Sequence, residues 1–313
     1  MSLIKNFHDY LTCKSHILNY KNLSVKNNVV NLHYYHSELE KGKDFASNNL
    51  GDELSPVIFD FMCKYYNVNN LSKIKTTQNL YSLGSIIFMG FHNATIWGSG
   101  VPYEPFFKTA FFHRSFFRKL DIRCVRGPVT KKILEKLGHK CPEAYGDPAV
   151  LLPLIYKSSF TTKKRKFLFI PHYSTENLYL SHFNQDDILS MNTNDYKSVV
   201  DKICSSEKVI STSLHGIILA ESYGIPAIFM QDRAKALNCK YEDWYESTNR
   251  ALVVSHSVED AKKINVDIPD LSDMRNTLMN TFPFDLFDDY KIIGGGYNSI
   301  VKLYSPSCNL KVA

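Results

Sequence analysis

The sequence lacks most of the marks that fix a function class directly. No two of its seven cysteines (Cys13, Cys63, Cys124, Cys141, Cys204, Cys239 and Cys308) stand at C-x-x-C spacing. An odd, scattered set argues against a disulfide framework and structural zinc, and predicts reduced thiols in a cytosolic protein. There is no H-E-x-x-H, so no metal site is expected. Glycine and proline, 14 and 12 residues, are spread along the chain, which removes the collagen-like and low-complexity classes. The net charge is only +6, and basic runs such as Lys163-Lys164-Arg165-Lys166 are short. No stripe for nucleic acid is visible, and solvated lysines account for any single run. The surplus also suits a small anionic substrate or a cytoplasmic membrane surface carrying anionic lipid. The opening MSLIKNFHDYLTCKSH has no apolar core of a signal peptide. The longest apolar stretches, around GSIIFMGF and GIILA, fall short of the ~20 residues a membrane span needs. The expectation is a cytoplasmic protein without a transmembrane segment.

What is present is an ordinary globular composition: 313 residues, 44% hydrophobic and 22% charged, enough for one large or two medium domains. Strand-like and helix-like segments alternate, which predicts an α/β fold. Strands are expected at VVNLHYYH (29–36), GSIIFMGF (84–91), ATIWGSGV (94–101), DIRCVRG (121–127), FLFIPHY (167–173) and ALVVS (251–255). Helices are expected at LSPVIFDFMCKYY (54–66), at PVTKKILEKLG with Pro128 first and Gly138 as its stop, and near 195–205. SVEDAKKIN (257–265) opens with Ser257 and Asp260 spaced as a capping box. Gly294-Gly295-Gly296 does not follow a strand and open a helix, so it is not read as a dinucleotide loop. The polar YKSSFTTKKRK (156–166) reads as a linker, giving domains at 1–158 and 166–270 and a C-terminal helix and tail at 271–313 that packs back on the first. In open α/β sheets ligands bind beyond the carboxyl ends of strands, so the strand-to-helix turns are where chemistry is sought.

One such turn is VISTSLHGIILAESYGIPAIFM (209–230), with His215 at the start of a helix. Ser211, Thr212 and Ser213 can cap it, and its free N–H groups and positive dipole end suit a phosphate. The dipole disfavours a proton on the ring; an arriving dianion reverses that bias and makes the ring an acid when substrate binds. The plainer reading is a histidine packed against Tyr223 or Ile225. Arg126, in RCVRGPVT, stands at another strand end, where a guanidinium can fork a carboxylate or phosphate, or simply be an exposed loop arginine. His172 closes FIPHYS. Asn49, Gly51 and Asp52 lie in NNLGDELS just before a helix, Asp52 reading first as a cap and second as an acceptor for a substrate hydroxyl. Asp147 in YGDPAV, ahead of Pro148, reads as a structural cap.

Taken in order, NLGDEL, LGSII, IWGSG, VRGP, YGDPAVLLP, IPHYS and SLHGIILAESYGIPAI resemble the polysaccharide pyruvyltransferase family over about residues 48–265, with KYEDWYES (240–247) resembling the segment after its histidine motif. The resemblance implies two Rossmann-like domains facing a cleft, GT-B-like, the first on the acceptor side and the second on the donor side. It implies transfer of pyruvate from phosphoenolpyruvate to a sugar of an exopolysaccharide or capsule repeat unit as a ketal, with no cofactor beyond that donor. His215 matches the proposed general acid and Arg126 the donor anchor. Asn49, Asp52, His172, Ser213, Lys240 and Trp244 become substrate-binding candidates. Many members carry arginine where this chain has Ser213, so Lys240, Arg233 or His172 must supply that cation. A lipid-linked acceptor, and peripheral association with the inner face of the membrane, are further implications. The residue types fit the chemistry: an acid to protonate the donor methylene, cations for its two anionic groups, and an acceptor for the hydroxyl proton. Two other readings stay open: a GT-B-like glycosyltransferase using a nucleotide sugar, for which Glu221 stands alone as a ribose ligand, and a non-catalytic carbohydrate-binding relative. The aromatics Trp97, Tyr103, Trp244 and Tyr245 would serve sugar stacking in all three.

Overall fold

A computed structural model describes residues 30–34, 49–68, 78–87, 93–101, 119–160, 162–232 and 239–287. The first half holds β1 (Val30–His33), α1 (Leu50–Tyr65), β2 (Gln78–Tyr81), β3 (Ala94–Trp97), β4 (Leu120–Cys124), α2 (Pro128–Lys136) and the short α3 (Leu152–Ile155), which continues a 3-10 turn at Pro148–Leu151. The second half holds β5 (Leu168–Ile170), α4 (Tyr196–Cys204), β6 (Val209–Ser211), α5 (Leu214–Ser222), β7 (Ala227–Met230), α6 (Cys239–Ser247), β8 (Val254–Ser255) and α7 (Val258–Lys263), followed by α8 (Ser272–Thr281). The strands form two four-stranded sheets in the orders β1-β2-β3-β4 and β5-β6-β7-β8, and all pairs are parallel. The α/β reading therefore holds, as two parallel sheets.

The alternation of a strand sorts its side chains onto two faces, and here it does so in both sheets. Leu80, Trp97 and Cys124 point to one layer, while Tyr81, Ile96 and Ile122 point to the other with Ile133 and Leu134 of α2. In the second sheet Leu168, Ile170, Val209 and Phe229 join the first of these layers, while Phe169, Ile210 and Ile228 turn to Ala261 of α7. One apolar layer thus runs from Leu80 through Leu54 and Ile58 of α1 and Val150 to Ile217 of α5 and the second sheet. Every residue of α5 is buried, as expected for a helix apolar on all sides. Its one acid, Glu221, is neutralised by Arg250 at 2.8 Å and accepts from Trp244 Nε1 at 2.8 Å.

The expected strand at 84–91 is displaced. Gly84 has φ +91, outside the extended region of a regular strand, and residues 82–87 form an irregular turn. The strand of this region lies earlier, at Gln78–Tyr81; residues 88–91 lie outside the described ones. The helix expected at 54–66 begins four residues sooner, at Leu50. α2 starts at Pro128 as expected, and Gly138 (φ +85) follows its end, its N–H on Glu135 O at 2.9 Å. Ser257 accepts from Asp260 N at 3.1 Å, as the spacing predicted. The basic 156–166 segment lies along α4: Tyr156 and Ser158 both donate to Asp201, at 2.9 and 2.7 Å. α8 meets the first half, where Trp97 Nε1 donates to Leu278 O at 3.0 Å and Tyr66 to Met279 O. Among the described residues no helix is long and apolar enough to cross a membrane. The glycines at 294–296, Tyr103 and Arg233 lie outside the described residues.

Candidate functional site

The carboxyl ends of both sheets open into one cavity of about 270 Å³. β2 delivers Gly84, Ser85 and Ile86; β4 delivers Arg126; β5 delivers His172 and Tyr173; β6 delivers Ser213, Leu214 and His215. The first turn of α1 adds Asn49 and Asp52, and α6 adds Lys240. Seven of the eight candidate residues named from the sequence therefore meet in one place, though they are spread over almost 200 positions.

His215 sits in the first turn of α5, nine-tenths buried. It packs over the first turn of α1. A Cβ added to Gly51 would stand 1.8 Å from its Nδ1, so only glycine leaves room for the ring. Its Nε2 lies 3.7 Å from Asp147 Oδ2. The turn before it is tied by Ser211, not Ser213: Ser211 Oγ accepts from Ser213 N at 2.9 Å, and Thr212 Oγ1 accepts from His172 N at 2.7 Å. Ser213 makes no side-chain cap, and it borders the cavity.

Arg126 is not an exposed loop arginine; it is 1% exposed and held on three sides. Nε donates to Asp243 Oδ2 at 3.0 Å, Nη1 to Ser85 Oγ at 3.0 Å and Nη2 to Val101 O at 2.8 Å. Asp243 also accepts from Thr130 N at 2.9 Å and Thr130 Oγ1 at 2.6 Å. Gly100 lets the guanidinium lie against the backbone, since a Cβ there would be 2.3 Å from Cζ. These contacts use one N–H of each guanidinium nitrogen and fix its plane, leaving one N–H on each Nη.

Asn49 stands just ahead of the helix, at its cap position, while Asp52 lies inside it, in the first turn. Asn49 does not cap; its Nδ2 donates to Asp52 Oδ2 at 2.6 Å. Burial pushes the Asp52 carboxyl above its ordinary value, against the opposing pull of His215, Asn49 and Lys240. His172 accepts from Ser174 N at 3.3 Å through Nδ1 and borders the cavity. Lys240 lies 5.1 Å over the Tyr241 ring.

Trp244 is the exception. It is fully buried, bound to Glu221, and far from offering a stacking face, so the substrate-binding role expected of it is corrected to a core role. Trp97 and Tyr245 are likewise buried. Glu221, weighed as a ribose ligand, is engaged by Arg250 and Trp244. Sequence reasoning missed Asp243, because nothing local announces a partner for Arg126 that is 117 residues away. It also took Asp147 for a cap alone. That cap exists, Asp147 Oδ1 accepting from Ala149 N at 3.0 Å, but the other oxygen faces His215. Among the described residues no group of three or more His, Cys, Asp or Glu could hold a metal ion.

The family model for polysaccharide pyruvyl transferase matches residues 49–231. The chain is 27% identical over 208 residues to the succinoglycan biosynthesis protein ExoV of Rhizobium meliloti, an alignment covering 64% of this chain and 61% of that relative's length. It is 24% identical over 216 residues to an uncharacterized protein of Acanthamoeba polyphaga mimivirus, covering 67% of this chain and 70% of that one. Among solved structures, an uncharacterized protein from Klebsiella pneumoniae superposes with TM-score 0.47 at 14% identity, over 82% of this chain and 100% of the other.

Proposed function

The chain belongs to the polysaccharide pyruvyl transferase family, and from that premise we propose that it transfers pyruvate from phosphoenolpyruvate to a sugar of an exopolysaccharide or capsule repeat unit, forming a ketal. The observation that carries the reading is the cavity at the strand ends, where His215, Arg126 and Lys240 surround the N-terminal turns of α1 and α5. Two helix N-termini and fixed cations favour a ligand with two anionic groups. Arg126, held by Asp243, meets the donor carboxylate with its fork, and the α5 turn with Lys240 takes the phosphate in place of the family arginine at Ser213. His172 lies on the same rim.

His215 gives a proton to the donor's methylene carbon, and C2 becomes electrophilic. A sugar hydroxyl attacks C2, phosphate departs, and a second hydroxyl of the same sugar closes the ketal. Asp52 stands as the acceptor of a hydroxyl proton. Burial raises its affinity for protons above that of an ordinary carboxylate, which makes its ionised form the stronger base. A positioned acid of the His215 kind contributes about 10²–10⁴-fold to such a reaction. The donor is the only cofactor-like partner this scheme needs.

The same reading organises the chain as GT-B-like, with an acceptor domain at 1–158, a donor domain at 166–270 and a terminal segment at 271–313. A lipid-linked acceptor would bring the protein to the inner face of the membrane. The glycosyltransferase and carbohydrate-binding alternatives predict other outcomes in one experiment. Protein is incubated with phosphoenolpyruvate and glycan fractions, phosphate release is followed, and the glycan is inspected for a ketal methyl signal. The proposal expects both, abolished in His215→Gln. Glycan extension with a nucleotide sugar, without phosphoenolpyruvate consumption, would replace it.

A further inference from the structure

Among the buried side-chain polar atoms that find no hydrogen-bond partner within the described residues, two face each other: Nε2 of His215 and Oδ2 of Asp147, 3.7 Å apart. Asp147 is fully buried, and only its Oδ1 is engaged, by Ala149 N at 3.0 Å. Buried polar groups in folded proteins are nearly always satisfied, and leaving one unsatisfied costs about 1–3 kcal/mol. A closure of about 0.7 Å would bring both atoms within hydrogen-bond distance, and such contacts are often long until substrate binds.

We propose that Asp147 is the positioning residue of His215, holding the proton on Nε2 so that Nδ1 is the nitrogen that works on the reactant. The inference rests on the reading of His215 as the acid. The geometry of the ring separates its two edges. Nε2 is shut away toward the 3-10 turn that Asp147 precedes, while Nδ1 is turned to the first turn of α1 at Gly51. The charged and titratable groups around the ring are Asp147 behind it, Asp52 from α1, and Lys240, Arg126 and His172 across the shared cavity.

With Nε2–H donating to Asp147, the cationic ring has one proton to give, at Nδ1. In the transfer the C2–C3 π pair of the donor takes that proton, C2 is left electron-deficient for the sugar oxygen, and the Nε2 proton stays in place. The ring then presents an Nδ1 lone pair, which accepts a proton released by the attacking hydroxyl directly or through Asp52. One proton leaves the ring and one returns; the C2–O bond to phosphate then breaks, the second hydroxyl closes on C2, and its proton leaves with the phosphate, with no further reagent. A ring free to flip would lose this order, because either nitrogen could carry the remaining proton.

Asp147→Asn is the informative variant, because asparagine caps the 3-10 turn as aspartate does. Its amide nitrogen can donate toward Nε2 and reverse the tautomer. The test is nitrogen-15 spectroscopy of histidine-labelled protein, with His215 assigned by its absence in His215→Gln. The wild type is expected to carry the neutral-ring proton on Nε2, and Asp147→Asn to lose that preference and about 10²-fold or more in turnover. An Nδ1–H tautomer in the wild type, or identical His215 shifts in Asp147→Asn, overturns the inference. Should the variant not fold, the wild-type tautomer alone decides it. Adding phosphoenolpyruvate separates the two claims. An Asp147-dependent tautomer that does not respond to phosphoenolpyruvate keeps the pair and removes His215 as the acid for that donor.

Discussion

The contact between Gly51 and His215 yields the sharpest prediction. Replacing Gly51 by alanine places a Cβ 1.8 Å from Nδ1 and 2.5 Å from Cε1 and Cγ. An ordinary contact is about 3.5 Å, so the ring must retreat by roughly 1.7 Å or the first turn of α1 must lift away. Two energies oppose one another. Alanine in a helix is favoured over glycine by about 0.5–1 kcal/mol, and overpacking a closed site costs about 1–3 kcal/mol. The expected net loss is about 1–2 kcal/mol, too little to unfold the protein, and urea denaturation should read it. The effect on chemistry is larger, since a misplacement of about 1 Å costs on the order of 10²-fold. Phosphate release from phosphoenolpyruvate, with an acceptor identified as above, should therefore fall about that much while the fold persists. Gly224→Ala is the control. Its added Cβ meets nothing, but its φ of +72 makes alanine cost about 1–2 kcal/mol, with turnover unchanged. Wild-type turnover in Gly51→Ala would refute the placement of His215 against α1 in the working enzyme.

Three other outcomes follow from the same contacts. Asp243→Ala leaves Arg126 as an uncompensated buried charge and strips two hydrogen bonds from Thr130, and should cost about 3–5 kcal/mol in urea denaturation; joint replacement of Arg126 and Asp243 by leucine should cost less. Asp52 has a raised proton affinity in the fold, so its ionised form weighs against folding. The contribution is favourable below the unfolded-state value near 3.8 and is lost as pH rises through the higher native value. Asp52→Asn should thus raise the thermal midpoint at neutral pH, with a gain that vanishes in acid, while turnover falls; a gain that grows in acid would reverse the sign of this argument. Trp244→Ala should cost about 3–5 kcal/mol through the core, and Trp244→Leu, which keeps an apolar core residue but has no ring to stack, should keep sugar-dependent turnover, as loss of a stacking residue would not.

What could be read from the sequence divides by distance along the chain. The ends of α2 and the Ser257 cap were legible because Pro128, Gly138 and Asp260 act within one or two turns. The strand-to-helix turns were legible because sheet topology forces ligands to strand ends, so His215, Arg126, His172 and Asp52 meet as expected. GSII misled because its apolar run resembles a strand while Gly84 turns the backbone away. Trp244 misled for a related reason. Its motif lies beside Lys240 on α6, but the helix turns the indole into the core and the lysine to the cavity. The links from Arg126 to Asp243 and from His215 to Asp147 span 117 and 68 positions, and no local pattern encodes either.

The most direct measurement is a thermal-shift titration of the pure protein with phosphoenolpyruvate beside UDP- and GDP-sugars, repeated for His215→Gln and Arg126→Ala. A ligand at 100 times its Kd adds about 2.7 kcal/mol to stability. The account predicts a shift with phosphoenolpyruvate alone, lost in Arg126→Ala. A shift with a nucleotide sugar and none with phosphoenolpyruvate would contradict it.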